Sequence, residues 1–500
     1  MSSRGELWTE RSRAEELQLR YPLEPDRTEM EQLSAEVVRR AIAFVEALPE
    51  RPASLAGVPP QEVEALQRRL LAPPAEGPGE LDALLREIEE AADAAVESAG
   101  PSYLAYIPGG GLYASAAADL YARATNRYVG LSGVAPGMAA LEYSVVAWLA
   151  SVLGMPRGGG GTLLSGGSMA NFAAVVTARE QLLGEEIGRG VAYATEETHQ
   201  SVAKALHLAG LPARALRRVP CAPDLAMDVS AAAQMIEEDR GAGRRPFLLV
   251  GSAGTTNTGA IDPLAQMAEL AHREKLWLHV DGAYGGMFAL TARGRESLRG
   301  IERADSVTLD PHKGLFMPYG TGALLVRDLQ KLRAAHHVGG HYLQDLRPLT
   351  VPDFSDLGPE LTREVRGLRV WLPLHLYGVA AFRDALDEKL DLAQHAYERL
   401  SAAPFVEALG RPALSIVAFR ARGRTPEEAD DRGRAVLASV NERRRVFLSS
   451  TVVGGRFTLR LAILAHRTHL DRVDEAVDEV LDAMRAVTGG HAASSDPQRF

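Results

Sequence analysis

A single cysteine, Cys221, stands among 500 residues. No disulfide can close within the chain, and a reducing compartment fits. Cys221 itself reads as a small buried or half-buried side chain rather than a nucleophile. No apolar run reaches the 18 residues that a membrane-spanning helix needs, and no membrane partner is expected. Residues 1–6 lack the apolar core of a signal peptide, so a cytoplasmic location is expected. Cationic excess is missing too: 55 Lys and Arg against 65 Asp and Glu leave a net charge of −10. That argues against a nucleic-acid surface, which needs clustered cations, and the run Arg443-Arg444-Arg445 reads as a solvated helix face. The Gly-x-Gly-x-x-Gly fingerprint does not occur in a dinucleotide-binding context, which disfavours NAD. No metal is expected.

What remains is ordinary globular composition, 46% apolar and 24% charged, in a chain long enough for two or more domains. Residues 1–90 read as a helical arm. Leu33, Val37, Val38, Ile42, Val45 and Leu48 fall on one helical stripe, and prolines at 52, 59, 60, 73, 74 and 78 interrupt it. Residues 91–385 alternate short apolar strands (162–164, 247–251, 276–280, 306–309, 322–326) with helical patterns (170–179, 263–275), which predicts a mainly parallel, doubly wound α/β domain. Residues 386–488 read as a smaller α+β domain, and the polar residues 489–500 as a disordered tail.

The chemistry concentrates at the predicted strand ends. Leu276-Trp277-Leu278-His279-Val280-Asp281 ends a strand in a carboxylate, and Ser306 to Leu309 leads into Asp310-Pro311-His312-Lys313. A lysine can hold pyridoxal 5'-phosphate as a Schiff base, and an aspartate can keep its pyridine nitrogen protonated. In a doubly wound sheet, ligands bind at the carboxyl ends of strands, where both residues fall. Gly166-Gly167-Ser168 precedes a helix: its amides suit an anion, or Ser168 simply caps the helix. Thr198-His199 opens another helix, where a histidine is structural or stacks on a ring. Gly254 to Gly259, with Thr256, offers hydroxyls or is a plain turn.

Five segments in this order, Ser-Gly-Gly-Ser-Met-Ala-Asn, Thr-His-Gln-Ser-Val, Gly-Thr-Thr-Asn-Thr-Gly, His-Val-Asp-Gly-Ala-Tyr and Asp-Pro-His-Lys, resemble the group II pyridoxal-phosphate-dependent amino-acid decarboxylases. The resemblance runs over nearly the whole chain. It implies fold type I, with an aspartate-aminotransferase-like large domain, and decarboxylation of an L-amino acid to its amine. It implies that Lys313 carries the cofactor, His312 touches the phosphate, Asp281 pairs with the pyridinium, Ala283 lies under the ring and His199 above it. Gly167, Ser168 and Ser306 fall to the phosphate and Thr256 to the ring substituents. Tyr342 stands where the family keeps a proton-donating tyrosine on a mobile loop, and Arg363 matches an arginine near the site, with Arg366 as its alternative. The family forms homodimers whose active sites use both subunits, with the helical arm wrapping the partner.

Departures from the family pattern fall on the substrate side. Gly314 replaces a tryptophan after the lysine, Gly109 lies in a glycine-rich stretch of the pocket-lining segment, Leu131 replaces an aromatic ring, and Glu364 replaces a second basic residue. A wider or differently polar pocket is implied. Oxidative deamination to an aldehyde, transamination on the same scaffold, and a catalytically silent scaffold are the alternatives.

Overall fold

The computed structural model describes residues 23–337 and 350–489. They fall into two compact units: the chain up to Arg51 together with Val58–Ala95, and Pro52–Gly57 with the chain from Val96 onward.

The first unit is helical, with α1 (Arg27–Ala47), α2 (Pro60–Leu70) and α3 (Leu81–Asp93). α1 begins at a capping box, in which the Asp26 and Glu29 side chains each accept the other's backbone N–H. Proline opens α2, where its missing N–H has no helical partner to lose. Arg40 ties α1 to α3 through Asp82 and Glu89. None of the three helices has a buried side chain, so the stripe of Leu33, Val37 and Ile42 stays exposed.

The second unit opens with α4 (Tyr113–Thr125), α5 (Pro136–Val152), β1 (Gly160–Leu164), α6 (Gly167–Leu182), β2 (Gly190–Thr195), α7 (Gln200–Leu208), β3 (Leu216–Val219) and α8 (Val229–Gly241). It continues with β4 (Arg245–Ser252), α9 (Leu264–Glu274), β5 (Trp277–Gly282), α10 (Ala292–Ser297), β6 (Ser306–Leu309), α11 (Pro311–Gly314), β7 (Gly322–Val326) and α12 (Leu329–His336). These strands form one seven-stranded sheet in the order β1-β7-β6-β5-β4-β2-β3. Pairing is parallel from β6 through to β3, and only β7 runs against its neighbours. β1, β2, β5, β6 and β7 are buried along their full lengths, which explains their unbroken apolar runs. This is the mainly parallel α/β sheet that the sequence predicts. β3 escapes a sequence reading because it is an edge strand with two arginines and one fully buried residue, Val219.

The chain then forms α13 (Leu368–Ser401), β8 (Val406–Ala408), β9 (Ile416–Ala421), α14 (Pro426–Glu442), β10 (Ser449–Val453), β11 (Arg456–Ala462) and α15 (Leu470–Gly489). The four strands make an antiparallel sheet, β10-β11-β9-β8, with Phe419, Leu459, Val436 and Val477 in one apolar cluster. α13 runs through residue 386, where the sequence suggests a domain start, and is kinked at Gly378, whose φ is +76°.

A buried ion pair braces β1. Glu142 of α5 and Arg363 meet at 2.5 Å with side chains 0% and 2% exposed. Glu142 also accepts the Gly367 N–H at 2.9 Å, Arg363 donates to the Leu163 carbonyl at 2.8 Å, and the guanidinium lies 4.7 Å from the Phe354 ring centre. Removing one member leaves a buried, uncompensated charge. Glu142→Ala is expected to cost about 3–5 kcal/mol, measured as a lower urea midpoint at unchanged m.

Candidate active site

Every strand of the large sheet but β7 ends on the same edge, and the segments at the ends of β1, β2, β4, β5 and β6 line a cavity of about 290 Å³. Its walls include Gly167, Ser168, His199, Thr256, Asp281, Ala283, His312 and Lys313, so eight of the residues singled out from sequence share one space. Tyr342 lies outside the described residues.

Asp281 is 8% exposed. Its Oδ1 accepts the Ala283 N–H at 3.1 Å and its Oδ2 accepts from Asn171 Nδ2 at 2.9 Å. Lys313, on the single turn of α11, places Nζ 2.9 Å from Asp310 Oδ2. The other Asp310 oxygen is buried with no partner among the described residues. Gly166 is the N-cap of α6, and no side chain caps that helix. Ser168 is therefore a cavity wall in the first turn and not the cap, and the helix keeps free N–H groups and positive potential at the cavity. His312 Nδ1 donates to the Thr321 carbonyl at 2.7 Å. His199 caps α7, its Nδ1 accepting the Ser201 N–H. Burial, with help from the Lys313 charge, holds both imidazoles below their ordinary range, so both are neutral near pH 7.

Five residues singled out from sequence fall elsewhere. Ser306 begins β6, as the sequence places it, and so lies away from the phosphate role that the resemblance implies. Its Oγ accepts the Trp277 Nε1–H at 2.8 Å and meets His279 Nδ1 at 2.8 Å, at the far end of the strand from the cavity. Arg363 is held by Glu142, and Arg366 by Glu360 at 2.6 Å. Leu131 is 8% exposed but is not a wall of this cavity, and neither is Gly109. A Cβ at Gly109 would come 2.3 Å from the His312 carbonyl oxygen, so glycine there allows the backbone to pack on the lysine turn. Gly314 has a similar reason: a Cβ would sit 2.5 Å from that of Met287.

Sequence reasoning left out Asn171, Ser201 and Asp310, which also line the cavity. The spacing was available for Asn171: it follows Gly167 by four residues in α6, one turn on along the same face.

The donor set fits pyridoxal phosphate. An uncapped helix terminus offers an anion seat, a buried carboxylate keeps lone pairs for a pyridinium, and a primary amine stands on the same cavity.

Beneath the cavity lies His279, 1% exposed, which burial pushes down to about 4. The unfolded chain takes up the proton first, near 6.5. The stability tied to neutral His279 is therefore present above about pH 6.5 and lost as pH falls toward 4. Urea unfolding from pH 7 to 4 is expected to show a shallower loss in His279→Gln than in the parent.

Comparison with known proteins agrees with this chemistry. Residues 65–422 match the pyridoxal-dependent decarboxylase conserved domain. Aromatic-L-amino-acid decarboxylase from Bacillus atrophaeus is 36% identical over 373 residues, 74% of this chain and 78% of that one. Phenylacetaldehyde synthase from Arabidopsis thaliana is 29% identical over 394 residues, 75% and 80% of the two chains. The crystal structure of Catharanthus roseus tryptophan decarboxylase in complex with L-tryptophan superposes with a TM-score of 0.86 at 26% identity, covering 92% of this chain and 99% of that one.

Proposed function

The chain belongs to the pyridoxal-dependent decarboxylase family, and from that premise we propose that it converts an aromatic L-amino acid to the corresponding amine. It is a pyridoxal 5'-phosphate-dependent amino-acid decarboxylase of fold type I. The aromatic substrate rests on the 36% identical relative, an aromatic-L-amino-acid decarboxylase. The observation that carries the site reading is the meeting of Lys313, Asp281 and the uncapped start of α6 on one cavity.

When bound, pyridoxal phosphate supplies a conjugated pyridinium that accepts the electron pair left as CO2 departs. Lys313 would carry it. Asp281 would take the ring nitrogen, and Gly167, Ser168 and His312 would hold the phosphate. Thr256, Ala283 and His199, on the same cavity, would contact the ring. Tyr342 donates the proton to the substrate carbon, a task suited to a phenol.

The working form is a homodimer in the cytoplasm. Leu120 and Tyr121 of α4 and Leu376 and Tyr377 of α13 are 50–61% exposed, on helices that pack together. Exposed apolar side chains on neighbouring helices support a protein interface. No helix among the described residues is long and apolar enough to cross a membrane.

The test is mass spectrometry of products after the cofactor-loaded protein meets L-tryptophan, L-tyrosine, L-phenylalanine and a set of non-aromatic L-amino acids. Amines lacking the mass of CO2 from the aromatic set are expected; turnover of non-aromatic substrates alone would overturn the substrate class. An aldehyde would move the chain to the reaction named for the phenylacetaldehyde synthase relative. Lys313→Ala is expected to abolish turnover, and Tyr342→Phe to stop amine formation. Unchanged amine output from the Phe variant removes Tyr342 from the mechanism.

A further inference from the structure

Asn171 is 1% exposed, and its side chain makes all four hydrogen bonds open to an amide. Nδ2 donates to Asp281 Oδ2 at 2.9 Å and to Ser201 Oγ at 2.8 Å. Oδ1 accepts from Thr308 Oγ1 at 2.7 Å and meets His279 Nε2 at 3.0 Å. The amide has one workable orientation, because the reverse would set its oxygen against the Asp281 carboxylate.

That orientation fixes the hydrogens on both sides. Facing Oδ1, His279 must carry its proton on Nε2. Its Nδ1 then accepts from the Ser306 hydroxyl, whose oxygen accepts the Trp277 Nε1–H. On the other branch, Ser201 Oγ accepts from Asn171 and turns its own proton toward His199 Nδ1, 2.7 Å away. The Ser201 N–H points at the same nitrogen. His199 is left with its proton on Nε2, which has no partner among the described residues.

We propose that Asn171 is the positioning residue of this site. One amide holds Asp281 by a donor and, through Ser201, holds His199 as a neutral imidazole with Nδ1 as acceptor. The inference rests on the cofactor reading above and goes beyond it, since it assigns a residue that need not touch the reacting atoms. The charged groups facing His199 are Asp281 on β5 and Asp310 and Lys313 around α11. The carboxylates favour a charged ring and Lys313 opposes it. Burial is the largest influence and also opposes the charge.

Two variants test the two branches. Asn171→Ala leaves Asp281 and Ser201 each short of a donor. Its dissociation constant for pyridoxal phosphate, followed by visible absorbance, is expected to rise about 10–100-fold. Ser201→Ala keeps the donor on Asp281 but frees His199 Nδ1. Its dissociation constant for pyridoxal phosphate is expected to rise less than that of Asn171→Ala, while the acid limb of kcat/KM moves to higher pH. A folded Asn171→Ala protein with parental cofactor affinity overturns the proposal. If that variant does not fold, Ser201→Ala decides, and an unmoved acid limb overturns it. Failure of the parent to take up pyridoxal phosphate would overturn the site reading and this inference together. Parental uptake with unaltered variants overturns this inference alone.

Discussion

A carboxylate at the end of a buried strand must be met by donors, and much of this site follows from meeting Asp281. Stranded in a low-dielectric interior, such a group costs several kcal/mol unless hydrogen bonds and a cation satisfy it. The fold supplies one donor from the turn after β5, at Ala283, and one from α6, at Asn171. The second choice propagates, because an asparagine that gives to a carboxylate must receive elsewhere. Thr308 of β6 and His279 of β5 provide that. Three elements are thereby locked in register by polar contacts under an otherwise apolar sheet. A fully satisfied network of this kind rigidifies a core, while a partly satisfied one weakens it.

Much of this was legible in the sequence. Asp281 and Lys313 could be placed because apolar strand, polar terminus and turn follow directly in the chain, and parallel topology then brings their ends together. The strands at 306–309 and 322–326 coincide with β6 and β7, since each is buried along its whole length and bounded by turn residues. Ser306 shows where motif reading fails. It belongs to the same run as Lys313 yet sits at the opposite end of the strand, so strand polarity separates them. Arg363 fails for another reason. Its partner, Glu142, is more than two hundred residues away in the chain, and nothing local announces a long-range ion pair.

The glycines on the substrate side also look different in three dimensions. Gly109 and Gly314 depart from the family pattern in ways that suggest a roomier pocket. Each proves to be a point of close packing, Gly109 on the carbonyl of His312 and Gly314 on Met287. The space they leave is already filled by the protein. Pocket shape in this chain is thus set less by these absent side chains than by what the backbone does around the lysine turn.

The reversed strand β7 has a mechanical result. Parallel neighbours need long crossovers, usually through a helix, whereas antiparallel neighbours can be joined directly. Residues 310–321, which include Lys313, join β6 to the β7 strand paired beside it. The turn is clamped at both ends by the sheet, at its middle by Met287, and at its return by the Thr321 carbonyl bound to His312. The backbone under the amine has almost no room to travel. Whatever reach the amine needs to take hold of a ligand and let it go must come from the rotation of its own four methylenes, a short tether on a fixed post.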